Sequence, residues 1–211
     1  MNKTNREIYN ILNAKFEAPE CELNFNSTFE LLVAVILSAQ CTDKRVNLVT
    51  EKLFKLYNTP KDFAKLENSE LEKLIYSCGF YKNKAKNIIN MSKSLTQRFN
   101  GVVPNTLEEL ESLDGVGRKT ANVVLSVAYN KNAIAVDTHV FRVSRRLNLS
   151  KSNNVLGVEK DLMKAFDENL WGRLHHMLVL FGRYTCKSQN PKCESCELYN
   201  FCKYEYKKTK I

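Results

Sequence analysis

No apolar run in this chain of 211 residues is long enough to cross a bilayer. The longest, Phe29 to Leu37, is interrupted by Glu30 and falls far short of the roughly 20 residues that a spanning helix needs. Nor is there a secretory signal. Met1 to Lys15 alternates polar and apolar residues, without a basic region followed by an apolar core. The expectation is a soluble, intracellular, cytoplasmic protein with no membrane partner. Sustained period-two alternation of β-branched residues is also missing, which excludes a sheet-based fold and leaves an all-α class. There is no internal repeat, no low-complexity tract and no long linker, only a short lysine-rich tail after Cys202. Acidic residues are the scarce charge: 23 Asp and Glu stand against 32 Lys and Arg, a formal net charge of +9. A polyanion is therefore the natural partner, and an acidic protein or membrane surface fits less well.

What is present reads as short helices with explicit starts and stops. Hydrophobic residues make up 44% of the chain, enough to bury the core of one large domain or two small ones. Ser27-x-x-Glu30 is a capping-box pattern ahead of Phe29 to Leu37, whose apolar residues run nearly all round and predict a central, buried helix. Thr42 or Asp43 opens a helix to about Tyr57, and Thr59-Pro60 starts a short one. Asn68 or Ser69 opens another that stops at Gly79, and Tyr81 to Phe99 runs to Gly101 as a C-terminal glycine. Thr106-x-x-Glu109 repeats the capping box before a helix that ends at Leu113-Asp114-Gly115-Val116-Gly117, and Arg118 to Tyr129 follows at once. Asp137 then caps a helix through Arg146, and two more helices fit Val155 to Phe166 and Trp171 to Thr185.

Four of the seven cysteines crowd into Cys186-x6-Cys193-x2-Cys196-x5-Cys202. Disulfides suit oxidising compartments, and Cys21, Cys41 and Cys78 would be left as an odd number of free thiols. Four thiolates suit either a tetrahedral zinc or a cubane iron–sulfur cluster. Zinc ribbons pair two short knuckles across a longer loop. One C-x2-C between a six- and a five-residue arm leans toward iron–sulfur without deciding the matter.

The helix, Gly115-Val116-Gly117 and next helix place unpaired backbone N–H groups and a positive helix end beside permissive glycines. Such a hairpin accepts a phosphate oxygen through its backbone, a grip that ignores sequence and weakens with salt. A plain tight turn is the simpler alternative. Lys119 lies in the first turn of the second helix, where positive charge is disfavoured. Neighbouring Arg118 and partial burial add to this, and the neutral amine that results is the nucleophilic form. An ordinary phosphate-contacting lysine is the competing role. Asp137 ends the run Ala133-Ile134-Ala135-Val136 at a helix start. Simple N-capping explains it, yet one oxygen can cap while the other faces a cationic intermediate.

Leu113 to Val124 (LDGVGRKTANVV), Val136-Asp137-Thr138-His139-Val140, His175-His176, Phe181 to Cys186 (FGRYTC), Leu37-Ser38-Ala39-Gln40 with Thr42-Asp43, and the cysteine spacing together resemble the endonuclease III family. These are iron–sulfur DNA glycosylases and abasic-site lyases with a helix-hairpin-helix motif. The resemblance spans essentially the whole chain. It implies a 4Fe-4S cluster on Cys186, Cys193, Cys196 and Cys202. It also implies two helical lobes with DNA across the cleft between them: residues 22 to 132, with the hairpin motif at about 107 to 129, and residues 1 to 21 plus 133 to 211. On that pattern Lys119 and Asp137 face each other from the two sides.

The implied function is base excision repair. The substrate is double-stranded DNA carrying a damaged pyrimidine or an abasic site, and the protein works as a monomer. The nucleotide is extruded, Lys119 attacks C1′ to form a Schiff base, Asp137 assists by taking a proton or stabilising positive charge, and β-elimination cuts the strand. Gln40 matches the residue that fills the gap and meets the opposite base. Phe80 occupies the position of a second wedge, commonly leucine, with a core role as the alternative. His139 either lines the base pocket or is a buried structural histidine. Arg142 and Arg145 are candidate phosphate contacts, with solvated arginine as the alternative. Lys187 and Lys192 belong to a cluster loop that meets the DNA backbone. Two positions depart from the pattern. Asp114 replaces a usual proline and adds negative charge beside the phosphate site, and Cys41 stands where alanine is common, as a small buried hydrophobe. Two rival readings are a monofunctional adenine or mismatch glycosylase, which lacks the lysine, and a non-catalytic DNA-binding module.

Overall fold

A computed structural model describes residues 1–207; the end of the lysine-rich tail, 208–211, lies outside them. Among the described residues there is no strand. The helices are α1 (Lys3–Lys15), α2 (Thr28–Leu37), α3 (Asp43–Leu56), α4 (Pro60–Phe63), α5 (Asn68–Ile75), α6 (Tyr81–Arg98), α7 (Leu107–Glu111), α8 (Arg118–Tyr129), α9 (Thr138–Arg146), α10 (Val155–Ala165) and α11 (Trp171–Tyr184). Two compact units result: a contiguous one, Glu22–Asn130, and a split one that joins Met1–Cys21 to Lys131–Ile211. None of the helices described is long and apolar enough to cross a membrane.

The contiguous unit is organised around α2, where every residue from Phe29 to Leu37 is buried. A helix apolar on all faces can only be the centre of a bundle, and α3, α6 and α8 pack around it. Its start is a variant of the expected capping box. Ser27 Oγ accepts from Glu30 N at 3.1 Å, but the buried Glu30 carboxylate accepts from Asn26 N at 2.6 Å, one residue earlier than the pattern prescribes. α4 and α5 lie on α6, and α7 lies on α8.

Most helix starts follow their cap residues. Thr42, Thr59, Thr106, Asp137 and Asn154 each accept a backbone N–H of the first turn. Helix α5 departs from expectation: it begins at Asn68, Glu67 stands at the cap without a side-chain bond, and the helix ends at Ile75, before Gly79. Packing of Leu71 and Ile75, both fully buried, holds it instead. At the end of α6 the left-handed step begins at Asn100 (φ 52°), one residue before Gly101, whose N–H reaches Leu95 O at 2.9 Å.

Ile8 and Leu12 of α1, Val140 and Val143 of α9, Leu162 of α10, and Leu174, Leu178 and Phe181 of α11 form the core of the split unit. The buried run Ala133 to Val136 leads into α9. α1 is tied to α11 by Arg173, which donates to Asn13 Oδ1 at 2.6 Å and to Glu17 O at 2.7 Å. That link explains how an N-terminal helix belongs with the C-terminal half.

Candidate active site and nucleic-acid interface

The hairpin between α7 and α8 uses its two glycines differently. Gly115 has φ +77°, and a Cβ there would stand 2.8 Å from Asn87 Cβ. Only glycine fits this position. Gly117 has φ −92° and caps α8. A Cβ on it would meet nothing within 4 Å, so the fold does not require glycine at 117. Its bareness leaves the exposed backbone at the start of α8 open to an approaching group, where the positive helix end attracts an anion. Gly115→Ala should therefore destabilise the protein by about 1–3 kcal/mol through strain. Gly117→Ala should leave the denaturation midpoint nearly unchanged and weaken duplex binding, measured as a loss of affinity in a salt titration.

Lys119 is exposed in the first turn of α8, so the partial burial expected for it is corrected: its surroundings are the helix end and solvent. Arg118 reaches toward Glu111, with Nη1 to Oε2 at 4.0 Å, a surface pair of small worth. Asp114 is exposed in the turn. Cys41 is half-buried rather than buried; Cys78, beside it, is fully buried, and burial pushes its thiol up to about 11.

Asp137 caps α9 with one oxygen. Oδ1 accepts from His139 N and Val140 N, both at 2.8 Å. Two bonds on one oxygen leave Oδ2 for other work, and the residue is only half-buried. His139, half-buried, lies against Gly182, where an added Cβ would come 2.7 Å from His139 Cβ. Its Nδ1 is 3.2 Å from Arg142 Nη2.

Arg142 is engaged within its own unit. Its guanidinium donates to Cys186 O at 3.0 Å, Gly182 O at 2.8 Å and Thr138 O at 3.3 Å. These bonds fasten α9 to the end of α11 and occupy the group that was expected to meet phosphate. Arg145, by contrast, is exposed, with its guanidinium 5.7 Å from the centre of the Phe141 ring. Gln40 (φ 53°) and Phe80 (φ 59°) both adopt the left-handed conformation and both are exposed. The core alternative for Phe80 is excluded, since 64% of its surface is accessible.

Burial holds His139 and His176 below the ordinary histidine value of 6.5. Around His139, Asp137 opposes the shift while Arg142 and Arg183 reinforce it; around His176, Glu20 opposes it. A depressed folded value means that the unfolded chain binds more protons. Stability is then complete above about pH 6.5 and is lost as pH falls through the folded values. The urea midpoint should drop between about pH 7 and pH 5, and a flat profile would show that these rings are not buried as described.

The four clustered cysteines line one open pocket, together with Arg146, Phe181, Tyr199 and Tyr204. Among the described residues, no three His, Cys, Asp or Glu side chains are arranged to hold a metal ion. Burial raises the Cys196 thiol to about 11 and raises Cys186, against which a bond from Arg146 works. Arg146 is the residue that the sequence reading missed. It donates to Cys186 Sγ at 3.4 Å and Lys187 O at 2.8 Å, and its guanidinium lies 3.8 Å from the centre of the Tyr204 ring. Its spacing, four residues after Arg142 on one helix, was the available signal. Tyr204 N donates to Cys202 Sγ at 3.4 Å. Lys187 and Lys192 are exposed on this loop, and Lys192 N is fixed to Thr185 O at 3.0 Å.

A model of the HhH-GPD superfamily of base excision DNA repair proteins matches residues 33–168. The chain is 50% identical to endonuclease III of Bacillus subtilis over 196 residues, 92% of this chain and 90% of that one. The chain belongs to the endonuclease III family. A second family member, endonuclease III of Escherichia coli, is 45% identical over 98% of this chain and 99% of its own length. Among solved structures, a trapped endonuclease III–DNA covalent intermediate superposes with a TM-score of 0.92 at 48% identity, covering 96% of this chain and 97% of that one. A thermostable thymine-DNA glycosylase, 22% identical with a TM-score of 0.87, shares the fold.

Proposed function

We propose that this member of the endonuclease III family is a bifunctional DNA glycosylase and abasic-site lyase of base excision repair, acting on oxidised pyrimidines in duplex DNA. The observation that carries the reading is the likeness, over nearly the whole chain, to an endonuclease III captured as a covalent intermediate with DNA. A covalent intermediate needs a nucleophile, and Lys119 is an exposed amine at a helix N-terminus. The open backbone at Gly117 binds a phosphate of the damaged strand, with Arg145, Lys187 and Lys192 as further phosphate contacts. The extruded nucleotide leaves a gap that Gln40 and Phe80 fill.

Lys119 attacks C1′ as the free amine. The C1′–N bond breaks, the base departs with the electron pair and takes up a proton from water, and the C1′–O4′ bond opens to a protonated imine as O4′ receives the proton that the lysine gives up. Asp137 Oδ2 takes the lysine proton or stabilises the positive charge that develops at the sugar, while Oδ1 keeps the cap. The imine acidifies the C2′ hydrogen, and its loss expels the 3′ phosphate. Hydrolysis of the imine frees Lys119. Mono- and bifunctional readings part at this residue, and the presence of Lys119 favours the second.

The cluster pocket fits a 4Fe-4S group: its donors are four thiols with no competing carboxylate or imidazole ligand, and N–H groups of Arg146 and Tyr204 reach two of the sulfurs. Cys186, Cys193, Cys196 and Cys202 hold the cluster, which supplies a cross-link that folds the loop rather than a step of the reaction. The test is release of free base and strand cleavage from a thymine-glycol duplex, with the visible absorption of the purified protein reporting iron. Base release without strand cleavage would support the monofunctional glycosylase. Neither activity, with binding intact, would support a non-catalytic module, and a colourless active protein would exclude the cluster.

A further inference from the structure

Lys84 is a lysine in the wrong place for a surface residue. It sits on the apolar stripe of α6 with Ala85, Ile88 and Leu95, and only 5% of its surface is accessible. A buried ammonium is costly unless its protons are bonded. Nζ donates to Leu37 O at 2.8 Å and to Ala39 O at 2.7 Å. Leu37 closes α2, so the first of these carbonyls lies at the negative end of the helix; the second immediately precedes Gln40. The main-chain N–H of the same lysine donates to Phe80 O at 3.1 Å. The side chain thus holds the segment that presents Gln40, while the bond to Phe80 is the first helical bond of α6, which any residue at this position would make.

Those two segments also touch. A Cβ at Gly79 would stand 3.5 Å from Gln40 O. Gln40 and Phe80 are both non-glycine residues in the left-handed conformation, a state that persists only where its surroundings impose it. Their side chains are exposed and project from a buried, charged anchor. A hydrophobic residue would fill the volume under the loops equally well, but it would leave the buried Leu37 carbonyl without this donor, release the Ala39 carbonyl and set no geometry.

We infer that Lys84 is a positioning residue whose side chain holds the Gln40 segment, and through the packing of that segment on Gly79 the adjoining Phe80, in the arrangement needed to occupy the gap left by an extruded nucleotide. The inference rests on the functional reading given above. Lys84 touches no reacting atom; it acts through the loops. Its loss should therefore impair steps that require a base to leave the stack and spare chemistry on a sugar that has no base to extrude.

The test compares two substrates in single-turnover experiments on the full-length protein. Lys84→Met should slow base removal from a thymine-glycol duplex by about tenfold to a hundredfold, the range that small misplacements cause. It should leave borohydride trapping on a single-stranded abasic oligonucleotide unchanged. Adding Gln40→Ala to Lys84→Met should cost little more than either change alone, because residues that act as one unit are not additive. Lys84→Gln, which keeps N–H donors without charge, should fall between wild type and Lys84→Met, and it carries the same comparison if the methionine variant does not fold. Equal losses on both substrates, independent effects of Lys84 and Gln40, undiminished duplex activity, or failure of both variants to fold would overturn the inference. A wild-type protein that neither releases base nor forms an adduct would instead overturn the functional reading.

Discussion

Lys119→Ala protein should bind abasic duplex DNA yet form no borohydride-stable adduct with it, and its strand cleavage should fall by a factor on the order of 10³ or more. The expectation follows from where the lysine stands. It is exposed in the first turn of α8, beside the open Gly117 backbone, so its removal creates no cavity and breaks no internal bond. The fold and the backbone grip on phosphate should survive. What disappears is the amine, and with it both the covalent displacement of the base and the imine that makes β-elimination possible. Lys119→Arg should behave like the alanine variant, because a guanidinium keeps the charge but stays protonated and is no nucleophile. Gel shift for binding and denaturing electrophoresis for the adduct separate the two effects. Residual cleavage near the wild-type rate would mean that another amine does the work.

Asp137→Asn should cost activity with little cost in stability. Both capping bonds fall on Oδ1, and an asparagine oxygen accepts them equally well. Only the charge is lost. Base excision should drop by about 10²–10⁴, the range for a positioned acid–base group, while the thermal midpoint moves little. Asp137→Ala removes the cap too and should add about 0.5–2 kcal/mol of destabilisation. If the asparagine variant loses as much stability as the alanine variant, the carboxylate acts through the fold and the assignment of Oδ2 to chemistry fails. The comparison is sharp because one side chain holds the two roles on separate oxygens.

Cap residues and apolar periodicity make most of the architecture legible in the amino-acid sequence. The all-apolar run at Phe29 to Leu37 is the centre of its bundle, and Thr59-Pro60, Thr106 and Asp137 begin helices as their chemistry requires. Where no cap chemistry decides the boundary, periodicity locates an element without its ends: α5 starts beside Glu67, which makes no cap, and stops four residues before Gly79. Side-chain roles were harder to read. Arg142 and Arg145 are three residues apart on one helix and look alike in sequence, but one is spent on three carbonyls and the other is exposed. Their difference is made by Gly182 and Cys186, some 40 residues away. Nothing in the sequence assigns Lys84 or Arg146 a role of its own. The partners of Lys84 are backbone carbonyls, which leave no mark in a sequence, and those of Arg146 lie some 40 residues or more away on the cysteine loop.

The cluster loop shows the same division. Cysteine spacing announces a site, but its walls come from Arg146, Phe181 and Tyr204 as much as from sulfur. Lys187 and Lys192 are exposed on that loop, so on the proposal that a cluster folds it, Cys196→Ala should be felt as lost DNA affinity.

The most direct measurement of the central claim is the identity of the residue bonded to DNA. Wild-type protein is incubated with a thymine-glycol duplex in borohydride, the adduct is digested, and the cross-linked peptide is sequenced by mass spectrometry. The account predicts a single reduced linkage, on Lys119. A linkage at the N-terminal amine or at another lysine, or base release with no adduct at all, would contradict it.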